Sequence, residues 1–245
     1  MRFKGVLFDL WETLIVDHPE RSRPRRAWRT EGVRSVLSAY GFDIDYDEIA
    51  LGLDTASRGL TQLHDRGIDI DATGRAHLFM DTLDRATGRR APREAAVDLL
   101  EVIAAMPLDL APQLAPHAVE TVCAIREEAM KTALVSNAGF TTAPNLRLLL
   151  DHYGLSELFD VLVFSDELEI AKPEPRIFKQ ALAGLGLRPA ECAFVGDNPH
   201  TDISGALSAG LFTVQIGAKT LDGTRPHARI DSLNQLMPAL GAAPS

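Results

Sequence analysis

The stretch VLFDLWETL, residues 6–14, turns from apolar to polar at Asp9. Its first part, VLFD, is an unbroken apolar run closed by an acid rather than an alternation of apolar and polar positions. A short continuous run of this kind suits a strand buried on both faces of a parallel sheet. Four more runs share the form: residues 133–136 (ALVS), 161–165 (VLVFS), 193–197 (AFVGD) and 212–216 (FTVQI). Helical periodicity follows the second, third and fourth runs, at residues 142–153, 174–184 and 202–209, and residues 117–130 lead helically into the second. Strands alternating with helices predict an α/β fold, a Rossmann-like parallel sheet flanked by helices with right-handed crossovers.

The first two runs are separated by about 120 residues, far more than the dozen or so a crossover needs. Between them the helical period recurs at residues 28–40, 46–63, 74–87 and 92–104, punctuated by Gly41, Gly67 and Gly88. The expected organisation is an α/β core of residues 1–16 and 107–245, with an α-helical cap domain, residues 17–106, inserted after the first strand. Trp28, Tyr40 and Phe79 are expected in the core of that insertion. No internal repeat is present, and a Gly/Ala/Pro tail after Leu240 is expected to fray.

Composition sets the outer bounds. The 245 residues carry a net charge of −9, with 46% apolar and 24% charged residues, an ordinary globular balance. The acidic excess argues against non-specific nucleic-acid binding, which needs Lys and Arg to neutralise phosphates. No apolar run approaches the roughly 20 residues of a membrane span, and no signal-peptide pattern precedes the first strand. Cys123 and Cys192, far apart and in apolar surroundings, are expected as buried free thiols. Together these features predict a cytoplasmic protein without membrane or nucleic-acid partners; they leave the oligomeric state open.

Ligands of open parallel sheets bind beyond the carboxyl ends of the strands. The first run ends at Asp9, the second at Ser136 and Asn137, and the fourth at Gly196 and Asp197, with Asp202 five residues on. Lys172 follows the third run in AKPEP. Acids converging on one sheet edge repel one another unless a cation offsets them. Hard carboxylate oxygens in small number suit Mg²⁺, and a lysine and a hydroxyl beside them suit an anionic group.

The set FDLWETL (8–14), LVSNAG (134–139), AKPEP (171–175) and GDNPHTD (196–202) resembles the four motifs of the haloacid dehalogenase superfamily, in order and at fitting spacing. The helical insertion resembles the cap that one large subgroup carries between its first and second motifs. The resemblance implies that Asp9 is a nucleophile forming a covalent aspartyl intermediate. Ser136, Asn137 and nearby backbone amides would hold the transferring group. Lys172 would offset charge on Asp9 and on that group. Asp9, Asp197 and the backbone carbonyl of Trp11 would hold Mg²⁺, with Asp202 in support and Thr13 packing and hydrogen-bonding near the nucleophile.

One position departs from the pattern. Phosphatases of the superfamily carry a second aspartate two residues after the nucleophile, where it exchanges protons with the leaving group and the attacking water. Here that residue is Trp11, whose indole N–H donates but neither protonates nor deprotonates a reactant. Glu12 is expected to face the other side of the turn. The dehalogenase branch also lacks the second aspartate, yet it departs from the GD…D metal motif that GDNPHTD keeps. Three readings follow: Mg²⁺-dependent phosphoryl hydrolysis or transfer on a small phosphorylated metabolite, 2-haloacid dehalogenase-like or other carbon-centred hydrolysis, and a phosphorylated-ligand binder with weak turnover.

A cap closing over such a site selects the substrate and excludes water. Arg21, Arg23, Arg25, Arg26 and Arg29 cluster just beyond the first strand's loop. They are either a solvated basic helix start or, through Arg21 and Arg25, a grip on a second anionic group of the substrate. His18 precedes them as a possible proton donor. His200, inside the fourth motif, is expected at the loop surface.

Overall fold

The computed structural model describes residues 3–243. Its centre is a six-stranded sheet in which every pairing is parallel. The chain begins with β1 (Gly5–Phe8) and the short β2 (Ile15–Val16). It then enters four helices, α1 (Pro19–Ala39), α2 (Tyr46–His64), α3 (Ala72–Thr87) and α4 (Ala96–Ala104). It returns through β3 (Gln113–Leu114), α5 (Ala118–Glu127), β4 (Lys131–Ser136), α6 (Ala143–His152), β5 (Val161–Phe164), α7 (Ser165–Leu168) and α8 (Pro175–Leu185). The last part is β6 (Cys192–Gly196), α9 (Gly205–Ser208), β7 (Phe212–Ile216), β8 (Ala228–Ile230) and α10 (Leu236–Gly241).

The strand order is β5-β4-β1-β6-β7-β8. From β1 the chain moves outward on one side through β4 to β5, then crosses back to β6 and outward on the other. The direction reverses at β1, so the crevice for a ligand opens beyond the ends of β1, β4 and β6. Pleating sends neighbouring residues to opposite faces. Val6 and Phe8 pack into a cluster with Leu134, Val195, Val214, Val122 of α5 and Leu146 of α6. Leu7 packs on the other face with Val135, Phe194, and Ile177 and Phe178 of α8. Both faces are covered, which is why the strand runs read as continuously apolar.

The four inserted helices bury a separate cluster. Val33 and Leu37, Ile49, Leu53 and Leu60, Phe79, Met80 and Leu83, and Leu99 and Ile103 meet at helical spacing, joined by Phe140 from the loop after β4. The two-stranded antiparallel pair of β2 and β3 ties together the points where the chain leaves and re-enters the sheet domain. This pair and β8 have no counterpart among the expected strands, because two or three residues are too few to show a period.

Three local expectations are corrected. Helix α1 starts at Pro19, not at residue 28. Pro at the first turn is favoured because its missing N–H would be unpaired there. The early turns face their neighbours with arginines rather than apolar residues, so hydrophobic periodicity is silent. Trp28 and Tyr40 are 41% and 39% exposed, whereas Phe79 is fully buried. Tyr40 lies at the end of α1 and its hydroxyl donates to Asp98 Oδ2 at 2.9 Å. The helix expected at 202–209 begins earlier, with a wide turn over Pro199–Ser204 that runs into α9. Cys192 is buried and Cys123 half-buried, both free. Of the tail expected to fray, Gly241 closes α10, while residues 244–245 lie outside the described residues.

Candidate active site

Asp9 follows β1 directly, and its amide adds one more rung to the sheet by donating to Val195 O at 2.9 Å. Its carboxylate is thereby fixed at the mouth of the crevice, 5% exposed. Lys172 reaches it from the loop between β5 and α8, with Nζ 2.5 Å from Asp9 Oδ1 and 2.7 Å from Asp202 Oδ1. The lysine is 2% exposed, so a surface role is ruled out. Burial opposes its charge, but Asp202 and Asp9 outweigh that and hold its pKa above the usual lysine value. Asn137 positions it. The Asn137 side-chain amide donates to Lys172 O at 3.0 Å and accepts from Lys172 N at 2.8 Å. The pair of hydrogen bonds to backbone fixes the Lys172 loop, while Asn137 also lines the cavity beside Trp11. Ser136 is fully buried at the end of β4, and its hydroxyl donates only to the neighbouring Asn137 carbonyl, at 3.3 Å. That long bond leaves the hydroxyl free to turn toward a ligand oxygen.

Carboxylate oxygens of Asp9, Asp197 and Asp202 lie within 4.8 Å of one another, all three residues buried. The wide turn after β6 places Asp202 so that its Oδ2 accepts from Asn198 N at 2.9 Å. A Cβ at Gly196 would come within 2.6 Å of the Asp202 carboxyl, so only glycine permits this approach. Burial, and then the charge of Asp202, raise the pKa of Asp9 above the carboxylate range, with Lys172 pulling it back down. Burial also raises Asp197, against a hydrogen bond from Lys219. Three crowded, buried carboxylates form a donor set that fits a small hard dication. Thr13 is fully buried, but Oγ1 has no partner among the described residues, so the expected hydrogen bond is absent.

Trp11 is half-buried and lines a cavity of about 310 Å³ between the helical insertion and the loop after β4. Its other walls include His64, Met106, Asn137, Phe140 and Thr141. Glu12 is turned away as expected: it is exposed, has φ of 56°, and accepts from Asp17 N at 3.2 Å. The arginines divide. Arg21 donates to Asp109 O and lines a different hollow, so it does not serve this site. Arg25 reaches the cavity but is paired with Asp17 and donates to Leu110 O at 2.8 Å. His18 is exposed at the start of α1. His200 is half-buried, and its Nε2 lies 3.2 Å from the Asp65 carbonyl of the insertion.

Several participants gave no signal in the sequence. Lys219, in the loop after β7, pairs with Asp197. Arg75 of α3 is fully buried and donates to Gly139 O at 2.6 Å, Ala138 O at 2.8 Å and both oxygens of Asp69 at 3.0 and 2.9 Å. Asp69 Oδ2 also accepts from Ser165 Oγ at 2.5 Å and lies 3.2 Å from His64 Nε2. The α2–α3 connection continues this seam, with Asp69 N donating to Glu169 O and Ala171 N to Gly67 O, each at 3.1 Å. The insertion thus rests on the loop that carries Lys172. These partners are far apart in sequence and belong to no short motif.

Glyceraldehyde 3-phosphate phosphatase of Methanocaldococcus jannaschii is 27% identical over 213 residues, 87% of this chain and 84% of that one. Phosphoserine phosphatase of Thermus thermophilus is 36% identical over 115 residues, but the match spans 46% of this chain and only 43% of that enzyme. Among solved structures, a HAD phosphatase from Thermococcus onnurineus superposes with a TM-score of 0.69 at 24% identity, covering 98% of both chains. A 2-haloacid dehalogenase from Pseudomonas syringae does so with 0.67 at 20%, again over 98% of both. Both likenesses concern the fold. The family model for haloacid dehalogenase-like hydrolases matches residues 3–210, a span that holds Asp9, Ser136, Lys172, Asp197 and Asp202, and the chain belongs to that family.

Proposed function

We propose that this hydrolase transfers a phosphoryl group from a small phosphorylated metabolite to Asp9 and then to water, with Mg²⁺ as cofactor. The observation that carries the reading is the cluster of Asp9, Asp197 and Asp202 with Lys172 between two of them. Asp9 attacks phosphorus, the bond to the leaving oxygen breaks, and water later cleaves the aspartyl phosphate to restore the carboxylate. Lys172 donates to Asp9 and stands ready to donate to a phosphoryl oxygen as charge develops there. Ser136 offers its hydroxyl to a second oxygen. Asp9, Asp197 and the Trp11 carbonyl, supported by Asp202, would hold the metal. When bound, it offsets the repulsion between an anionic nucleophile and an anionic substrate. The relatives named for phosphatase activity support a phosphorylated substrate. The insertion, residues 17–106, acts as a cap over the crevice, with the rest of the chain as the catalytic core.

Trp11 supports a second reading, carbon-centred hydrolysis, since it removes the acid a phosphatase uses at that place. Turnover of a panel of aryl, acyl and alkyl phosphates and 2-haloacids, with and without Mg²⁺, separates the two. Phosphate release that requires Mg²⁺ and vanishes in Asp9→Asn is expected. Reaction of haloacids alone, independent of metal, would overturn the phosphoryl reading.

A further inference from the structure

Asp69 stands in the connection between α2 and α3, and its buried carboxylate is ringed by donors. Oδ1 accepts from Arg75 at 3.0 Å and from Ile70 N at 2.7 Å. Oδ2 accepts from Arg75 at 2.9 Å and from Ser165 Oγ at 2.5 Å. The Ser165 hydroxyl gives its proton to Asp69 while accepting from Ala138 N at 2.8 Å. A relay thus runs from the carboxylate through Ser165 to the loop after β4, next to Ser136 and Asn137. Arg75 carries a second line to the same loop, at the Ala138 and Gly139 carbonyls. The backbone of the connection holds the other catalytic loop. Asp69 N donates to Glu169 O and Ala171 N donates to Gly67 O, with an antiparallel bridge between Ile68 and Ile170. Gly67 has φ of 75°, and a Cβ there would come within 2.8 Å of Glu174 Cβ, so glycine permits the close approach. Lys172 follows Ala171 directly.

We propose, on the phosphoryl-transfer reading above, that Asp69 is a positioning residue for the reaction. It fixes the Ser136–Asn137 loop and the Lys172 loop at one separation, and so sets where the lysine and the serine meet the transferring group. It acts through Ser165, Arg75 and Glu169 and touches no substrate. Two features set this apart from a plain ion pair between the insertion and the sheet domain. The pair with Arg75 would be complete without Ser165, yet Oδ2 reaches on to the hydroxyl that holds the Ala138 amide. One residue also serves both loops, by its side chain on one side and its amide on the other, so a shift of Asp69 displaces both. An asparagine cannot stand in for it. Both oxygens face Arg75, so whichever way the amide turns, its NH₂ confronts the guanidinium, and a buried donor loses its acceptor.

The test compares Asp69→Asn with Ile103→Val, a change in the core of the insertion that loosens its packing away from this seam. On para-nitrophenyl phosphate with Mg²⁺, Asp69→Asn should lower kcat by roughly ten- to a hundredfold, the loss that a misplacement of ~1 Å brings, with KM moving much less. Ile103→Val should keep the kcat of the parent. Ser165→Ala cuts the relay but leaves the Arg75–Asp69 pair, and it should lower kcat in the same sense. Hydrogen exchange read by mass spectrometry should quicken at residues 137–140 and 169–172 in Asp69→Asn and stay as in the parent at β7. A folded Asp69→Asn with the kcat and loop exchange of the parent overturns the proposal, as does a kcat loss that Ile103→Val reproduces. If Asp69→Asn does not fold, Ser165→Ala decides: parental kcat and parental exchange at residues 137–140 overturn it. The exchange measurement needs no substrate. A parent that releases no phosphate would sink the phosphatase reading, and loop exchange would still decide the role of Asp69.

Discussion

Trp11 occupies the position at which a phosphatase of this family would keep its proton donor, and an indole cannot do that work. Leaving groups that depart without a proton, as in aryl and acyl phosphates, are therefore expected to react well. Alkyl phosphates should lag by something like the ~10²–10⁴ that acid–base catalysis contributes. Trp11→Asp should recover part of that factor on propyl phosphate while changing aryl phosphate turnover less, measured as kcat/KM on folded protein. Brisk alkyl turnover by the parent would instead assign proton transfer to another group. His64, which lines the same cavity beside Asp69, would be the first to replace. A second prediction concerns Asp9. Burial and Asp202 hold its pKa above the carboxylate range, so its ionised, nucleophilic form is reached only at higher pH. The acid limb of kcat/KM should lie above ordinary carboxylate values at low Mg²⁺ and move to lower pH as Mg²⁺ rises, because a cation favours the charged form. For stability the sign is the reverse of the usual aspartate. The folded state keeps the Asp9 proton longer than the unfolded state, so the contribution is present below the unfolded pKa and lost as pH rises through the folded one. An acid limb indifferent to Mg²⁺ would argue against the assignment of Asp9 to the metal.

At the scale of elements, the seam between α3 and the loops after β4 and β5 rests on Arg75. Its guanidinium has no exposure and its acceptors come from both sides, Asp69 from the insertion and the Ala138 and Gly139 carbonyls from the sheet domain. The neighbouring His64 ring, the charge of Arg75 and a hydrogen bond from Ser165 outweigh burial and hold the Asp69 pKa below its ordinary value. Arg75→Met leaves the buried Asp69 without its cation and the Ala138 and Gly139 carbonyls without a donor. Breaking a buried pair from one side costs about 3–5 kcal/mol, so urea unfolding should show a clear loss of stability. The double variant Arg75→Met, Asp69→Leu should recover part of it, since removing both partners also removes the uncompensated charge. A loss within about 0.5 kcal/mol, the range of ordinary surface changes, would mean the seam contributes little. Nothing in the sequence signals this pair. Arg75 stands in a helical pattern where an arginine ordinarily reads as solvated, and only the packing of the insertion onto the sheet domain removes it from water.

At the scale of the molecule, one sheet has both faces covered, and Cys192 lies inside it on β6 against α8. Burial, and then the charge of Glu191, push its thiol up to about 12. The folded state therefore holds this proton where the unfolded state has lost it, and the contribution to stability falls as pH rises from the ordinary thiol value toward 12. At pH 9 a thiol-reactive disulfide reagent should modify native protein with at most one equivalent, at Cys123, and unfolded protein with two. Rapid modification of both in the native state would contradict the buried setting. Much of this architecture is legible in the chain itself. Continuous apolar runs ending in Asp9, Ser136 and Asp197 mark strands covered on both faces, because a parallel sheet buries every side chain it carries. Loops at strand ends then place those polar residues on one edge. The helical period of α2, α3 and α4 is equally plain, since each buries one apolar stripe. What the sequence could not determine is which charged side chains are dry. Arg25, Arg29 and Arg75 look alike as letters, yet one is paired with Asp17, one lines a cavity with its Nε unpartnered, and one locks two layers together. That distinction depends on dielectric and on partners up to a hundred residues away, and both come into being only when the insertion closes onto the sheet.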